Sequence, residues 1–281
     1  MKVVAAGDNC IDYYPKLRRW YPTGNCVDFA VNVAAEGVET GIVTATGSDV
    51  FGWRMEAMLR DKGVDCSHLT HIEGKTACAM MDLVGESGKD RLHVSFDEGI
   101  LPQFDLTEED LHYIGTFDIV HSMAFGYVNQ HIPAIKAMGK TIVYDFSIYA
   151  DDFPHRELVL PCIDYGFCSF QQEDGKTLDA VRCLHAEGVR VVIATLGDKG
   201  SLAYDGEKFY RAECSPIREL CNTVGAGDSY IAGFTCGLTR GMDIPGCMEY
   251  GAAVAARIVQ VFEPYENYGP DRIGYQNMDI V

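Results

Sequence analysis

Short apolar runs of strand length alternate with stretches of helical period from residue 106 onward. No other feature of the chain restricts its fold as much. Asp118-Ile119-Val120-His121, Thr141-Ile142-Val143-Tyr144-Asp145, Tyr165 to Cys168 and Val189 to Leu196 read as strands. Helical patterns separate them, around Ile132 to Met138 and from Lys176 to Glu187. A helix from Leu106 to Ile114, opened by Thr107-Glu108-Glu109, comes before them. Such alternation builds a mainly parallel sheet with helices on both faces, joined by right-handed crossovers. The N-terminal part adds a buried strand from Val3 to Gly7, a helical run ending at Gly37, a strand from Gly41 to Thr46, and a helix from Trp53 to Lys62 stopped by Gly63. A length of 281 residues suits one α/β domain with a small appendage, or two small domains. The reading adopted is one domain over 1–281.

Residues 76 to 98 break the rhythm. Thr76 to Val84 and Arg91 to Phe96 look like strands, and 85–90 reads as the hairpin turn between them. Neither run leads into a helix. Together with a strand drawn from about 10–16 they form a small β-sheet lid over the end of the first strand. Lids exclude water, and an exposed sheet edge needs covering, so a homodimer through the lid is expected.

A second constraint lies at Cys221-Asn222-Thr223-Val224-Gly225-Ala226-Gly227-Asp228-Ser229. The small residues Gly225, Ala226 and Gly227 precede an apolar run from Tyr230 to Leu238 that reads as a buried helix. They therefore sit at a helix N-terminus, where free N–H groups and the helix dipole favour an anion. Asp228 lies in the first turn, where a carboxylate is also an ordinary helix-start residue. Its chemical reading is a base beside an anion cradle, taking a proton from a hydroxyl while the amides hold a phosphoryl group. No Gly-Lys-Ser/Thr follows, so this is neither a Walker loop nor the dinucleotide fingerprint.

The stretch resembles the second signature of the ribokinase-like (PfkB) carbohydrate kinases, Asp-Thr-x-Gly-Ala-Gly-Asp, with Asn222 in place of the first Asp. Thr23-Gly24-Asn25-Cys26-Val27-Asp28 resembles the family's Gly-Gly-Asn-x-x-Asn, with Thr23 and Asp28 as departures. Gly47, Asp49 and Gly52 match Gly-x-Asp-x-x-Gly, and Thr195, Gly197 and Gly200 match Thr-x-Gly-x-x-Gly. The resemblance runs across roughly residues 3 to 262. It implies an α/β fold, a ribokinase-like three-layer α/β/α sandwich with a small β-sheet lid. It also implies in-line phosphoryl transfer from ATP with Mg²⁺ to a primary sugar hydroxyl. Asp228 is then the base, and Gly225, Ala226 and Gly227 the anion hole.

Substrate contacts fall on Asp8, Asp12, Gly24, Asn25, Asp28, Glu98 and Asp145. Nucleotide contacts fall on Thr195, Gly197, Gly200, Thr223, Gly225 and Gly227. Glu173, in Gln172-Glu173-Asp174, stands nearest to the family's metal-orienting Asn-x-x-Glu, acting through water. The family's first Asp helps form a monovalent-cation site, and the neutral Asn222 implies weak or absent K⁺ activation. Shorter strings, among them Gly7-Asp8-Asn9-Cys10 and Asp145-Phe146-Ser147, resemble members that act on a sugar-amine, and the acids Asp90, Asp97 and Glu98 suit its cationic part.

Each assignment has a plainer rival. Asp8 can cap a turn, Asp28 and Asn32 can share a solvent face, and His121 is an ordinary core histidine. A kinase for another sugar (fructose, ribose) or a nucleoside remains an alternative, as does a non-catalytic sugar or nucleotide sensor on the same fold. A substrate panel separates the first, and ligand binding without ATP turnover marks the second.

The net charge of −18 argues against nucleic acid and anionic membranes as partners. There is no apolar run of transmembrane length and no signal-peptide pattern, so a cytoplasmic location is expected. The eleven scattered cysteines then read as reduced, mostly core thiols. Residues 263 to 281 show no periodicity and carry no assigned role.

Overall fold

The computed structural model describes residues 1–84 and 90–266. The expected turn over 85–89 and the tail from 267 lie outside them. The chain begins with β1 (Val3–Ala6), β2 (Cys10–Tyr14), β3 (Arg19–Thr23), α1 (Asn25–Ala35), β4 (Thr40–Gly47), α2 (Val50–Asp61) and β5 (Asp65–Ile72). It continues through β6 (Cys78–Val84), β7 (Asp90–Asp97), α3 (Glu108–Ile114), β8 (Ile119–Met123), α4 (Ile132–Ala137), β9 (Thr141–Ser147), α5 (Arg156–Val159) and β10 (Tyr165–Ser169). It ends with α6 (Gly175–Ala186), β11 (Val191–Thr195), β12 (Ser201–Tyr204), β13 (Phe209–Ala212), α7 (Ala226–Thr239) and α8 (Ile244–Ile258).

Nine strands form the large sheet in the order β13-β12-β11-β10-β9-β8-β1-β4-β5. From β11 to β5 every pairing is parallel, and β12 and β13 turn back antiparallel. The inner strands carry the run of buried Val, Ile and Ala that a sheet covered on both faces requires. Right-handed crossovers place the helices of the β1-β4-β5 direction on one face and those of the β8-to-β11 direction on the other. Helices α1, α7 and α8 pack together. The expected small-residue helix is part of α8, and its glycine allows close contact with α7: a Cβ on Gly251 would lie 2.7 Å from the Tyr230 carbonyl.

A separate four-stranded sheet, β3-β2-β6-β7, forms the lid. It contains β2, which ends at Tyr14 where Pro15 begins a 3-10 turn, two residues short of the expected 10–16, and both strands of the expected hairpin, which pair antiparallel. Asp49 ties it to the main body. Its carboxylate caps α2 through the Phe51 and Gly52 amides and also accepts from the amide and hydroxyl of Thr76, at the root of β6. All eleven cysteines are free thiols and six are buried. Among the described residues no helix is long and apolar enough to cross a membrane.

Candidate active site

A cavity of about 1140 Å³ opens between the lid and the carboxyl ends of β1, β8, β9, β10 and β11. This is the edge where ligands collect in parallel α/β sheets, and the volume slightly exceeds the ~300–1,000 Å³ usual for small-molecule sites. Asp8, Asp12, Gly24, Asn25, Asp28, Glu98, Asp145, Thr195, Gly227 and Asp228 all line it. The fold thus gathers residues that are more than two hundred positions apart in sequence.

The local structure shows how each is held. Asp8, just past β1, accepts from the amides of Asn25 and Cys26 at 3.3 Å and so holds the start of α1. It therefore caps, as its plainer reading has it, but across the chain rather than within its own turn. Asp28 and Asn32 share a face of α1 that is buried, not solvated, at 2% and 3% exposure. The two departures in the Thr23–Asp28 loop touch: Thr23 Oγ1 donates to Asp28 Oδ2 at 2.7 Å. Asp12 accepts from the Tyr21 hydroxyl at 3.5 Å.

Asn25 is the centre of the site. Its Nδ2 donates to Asp145 Oδ2 at 2.7 Å and to Asp228 Oδ1 at 2.6 Å. Its Oδ1 lies 2.8 Å from His121 Nε2. His121 is fully buried and stacked on Phe29, with ring centroids 3.9 Å apart. Burial holds its pKa down to about 3, so the ring is neutral, and Nε2 must carry the proton donated to Asn25. His121 is a core residue, as its sequence position suggests, but one that fixes which way the Asn25 amide faces.

The carboxyls are placed in a low-dielectric pocket, and burial raises the pKa of Asp8, Asp12, Asp28, Asp145 and Asp228 alike. Asp12 and Asp145 are pushed up to about 7. For Asp28 and Asp145 the Asp228 charge adds to burial. For Asp228 the lid residue Arg91, which lines the cavity, opposes burial.

Gly225 caps α7 in the left-handed region, φ 69°, and Ala226, Gly227 and Asp228 form the first turn. A Cβ at Gly225 would lie 2.4 Å from Pro264 Cβ, whereas nothing stands within 4 Å of one at Gly227. Gly227 therefore borders open space on the cavity lining, and Gly225 lies against a backbone strap. That strap gives the front of the 263–281 segment a structural role. Arg19 pairs with Glu263 and lies 4.0 Å from the Phe262 ring, and Asn32 Nδ2 donates to the Pro264 carbonyl at 3.0 Å. Asn222 is fully buried: its Nδ2 donates to the Phe262 carbonyl at 2.9 Å, and its Oδ1 accepts from the Val224 amide at 3.1 Å. A donor aimed at that carbonyl is the opposite of what a cation there needs, so the groups at 222 and 262 do not fit a monovalent-cation site.

Gly197, Gly200, Thr223, Gly225 and Ala226 lie off the cavity lining, in the turns behind it. Glu173 is also outside the lining, and Arg211 engages both of its carboxylate oxygens. Among the described residues no group of three or more His, Cys, Asp or Glu side chains is arranged to hold a metal. Sequence reasoning did not single out Arg91, Phe96, Phe125, Tyr127 or Tyr149, all of which line the cavity. The usable signal for the last three was position, in loops that follow β8 and β9.

Comparison with known proteins shows the family and the fold. The family model described as pfkB family carbohydrate kinase matches residues 21–268. A fructoselysine 6-kinase of Shigella flexneri is 38% identical over 261 residues, covering 92% of this chain and 98% of that protein. A fructosamine kinase of Bacillus subtilis (strain 168) is 27% identical over 275 residues, covering 96% and 94%. Among solved structures, Arabidopsis thaliana ribokinase complexed with ribose and ATP superposes with a TM-score of 0.79 at 22% identity, covering 92% of this chain and 93% of that one. A microbiome-derived acarbose kinase gives 0.80 at 19%, covering 95% of each.

Proposed function

The chain belongs to the pfkB family of carbohydrate kinases, and from that membership we propose that it transfers the γ-phosphoryl group of ATP to the 6-hydroxyl of fructoselysine or a related fructosamine. The observation that carries the chemistry is Asp228, set in the first turn of α7 and tied through Asn25 to Asp145 in one cavity. The substrate class rests on the similarity to relatives named for fructoselysine and fructosamine.

In the proposed reaction Asp228 accepts the hydroxyl proton as the substrate oxygen bonds to the γ-phosphorus. The bond to the β–γ bridging oxygen breaks and ADP leaves. Backbone amides of 225–227 hold the γ-phosphoryl oxygens, and Asn25 Nδ2 favours the ionised form of Asp228. Positioning and electrostatics carry most of the rate, as in other phosphoryl transfers. Asp8, Asp12, Gly24, Asp28 and Asp145 grip the sugar. Thr195 lines the nucleotide end, with Gly197, Gly200 and Thr223 shaping the turns behind it.

Mg²⁺ carried by the nucleotide would supply charge neutralisation at the phosphates, with Glu173 the carboxylate placed to hold its water shell. The Arg211 ion pair restricts Glu173 to a contact through water. K⁺ is not required, a reading supported by the Asn222 hydrogen bonds. The reading extends to a homodimer through the lid: among the described residues β7 is the outer strand of its sheet, with Leu92, Val94 and Phe96 exposed along it. It also extends to a cytoplasmic location, supported by the eleven free thiols.

ATP consumption with Mg²⁺ across a panel of fructoselysine, other fructosamines, fructose, ribose and nucleosides tests this. Fructoselysine should be turned over selectively. Asp228→Asn should lose about 10²–10⁴ in rate with its melting temperature kept. Near-normal turnover in that variant would end the assignment of the base, and preference for a plain sugar or nucleoside would end that of the substrate. Binding of sugar or nucleotide with no turnover at all would identify a sensor.

A further inference from the structure

We propose that the cavity carries, beside the sugar site, a second subsite for the amino-acid arm of the substrate. The methylene stem lies on Phe125, Ile148 and Tyr149, and the ammonium at the end of the arm is received by Glu98. This rests on the fructosamine reading and deepens it.

Phe125, Ile148 and Tyr149 are 42%, 71% and 45% exposed, yet all three line the cavity. Single exposed apolar side chains are ordinary, but three contiguous ones at the rim of a ligand site form a surface that something apolar covers. Phe125 and Tyr149 meet edge to face with centroids 4.9 Å apart, which makes a preformed wall. Phe96, reaching in from the lid, is 50% exposed and lines the same space. A bare hexose offers hydroxyls and would leave this wall wet.

The loops bearing the wall are held in an uncommon backbone form. Tyr127 has φ 64° and Ser147 φ 52°, both in the left-handed region and neither a glycine. Non-glycine residues persist there when surrounding contacts impose it, and such residues cluster at ligand sites. The Ser147 amide donates to Asp145 Oδ1 at 2.7 Å, so the carboxyl tied to Asn25 also supports the rim. Tyr127 directs its hydroxyl to Glu98 Oε1, which orients a carboxylate on the cavity lining next to the loop that bears Phe125. Apolar wall and fixed carboxylate together match a stem of several methylenes leading to an α-amino acid head, whose ammonium Glu98 receives and whose carboxylate points away from it; this is the arm that distinguishes fructoselysine from fructose.

The test compares kcat/KM of the native enzyme with Phe125→Ala, Tyr149→Ala and Glu98→Gln. The substrates are fructoselysine, its α-N-acetyl derivative and 1-deoxy-1-methylaminofructose, which keeps the sugar amine and lacks the stem. For Phe125→Ala and Tyr149→Ala the ratio of fructoselysine to the methylamino sugar should fall about five- to tenfold, through KM. For Glu98→Gln the ratio of fructoselysine to its acetyl derivative should fall similarly. Equal losses on all substrates, or none, would overturn the subsite while leaving the fructosamine reading intact. A native enzyme that turns over no fructosamine would instead remove the reading on which the subsite rests.

Discussion

Asn25 joins two carboxylates, those of Asp145 and Asp228, across the cavity. Its amide can hold both only while its oxygen faces away from them, and His121 decides that. Stacked on Phe29 and kept neutral by burial, the ring has one proton, and that proton points at Asn25 Oδ1. His121→Leu fills the volume but removes the donor, so the amide is free to turn. The N–H bond to Asp228 favours the carboxylate. Its loss raises the Asp228 pKa, and the acid limb of the kcat/KM–pH profile should move up by about one unit, equivalent to ~1.4 kcal/mol. His121→Gln, which can present an N–H, should return the limb toward its native position. An unmoved limb in His121→Leu would show that the ring only fills space. In sequence His121 is merely a histidine ending a strand. The motif residue Asn25 is legible there, but its partner is not, because the two meet only after α1 and β8 pack across β1.

At the scale of elements, three of the strands that sequence reasoning did not name share one property. β5 and β13 are the two edges of the large sheet, and β3 is an edge of the lid. β5 and β13 are partly solvated and carry mixed residues, such as the His and Ser of β5, while β3 is buried but short and interrupted by Pro22. They lack the continuous apolar run that makes the inner strands readable. The strap formed by 262–265 was equally hidden, since its contacts are long-range and it has no period. It has a chemical consequence through Asn222, which bridges the loop before α7 to the Phe262 carbonyl. The native rate should therefore be the same in K⁺ as in a large organic cation. Asn222→Asp puts an uncompensated carboxylate into a buried site and should lower the melting temperature, with K⁺ restoring part of the loss. Several-fold K⁺ activation of the native enzyme would show that a cation, not the amide, completes this loop.

For the whole molecule, the gathering of carboxyls in one cavity sets how stability responds to pH. Asp12 and Asp145 titrate at about 7 in the folded protein against the ordinary 3.8, and Asp8, Asp28 and Asp228 shift the same way. A raised carboxyl pKa means that the folded state holds protons which the unfolded chain has released. Its stabilising contribution is complete below the unfolded value and is lost as pH rises through the folded one. Two groups oppose this. His121 and His93 have lowered pKa values and weaken the fold as pH drops below the histidine range. Five carboxyls outnumber them, and relief of the −18 net charge acts in the same direction as the carboxyls. The outer carboxylates held by hydrogen bonds, such as Asp49 and Asp110, have lowered pKa values and lose their contribution only in more acidic solution. Thermal melts of the ligand-free protein should therefore show a melting temperature that rises as pH falls from about 8 to about 6, and Asp145→Asn should flatten the slope. A melting temperature that instead falls over that interval would mean that the cavity is wet enough to keep its carboxyls ionised, and that Asp228 needs neither burial relief from Arg91 nor the Asn25 amide to act as a base.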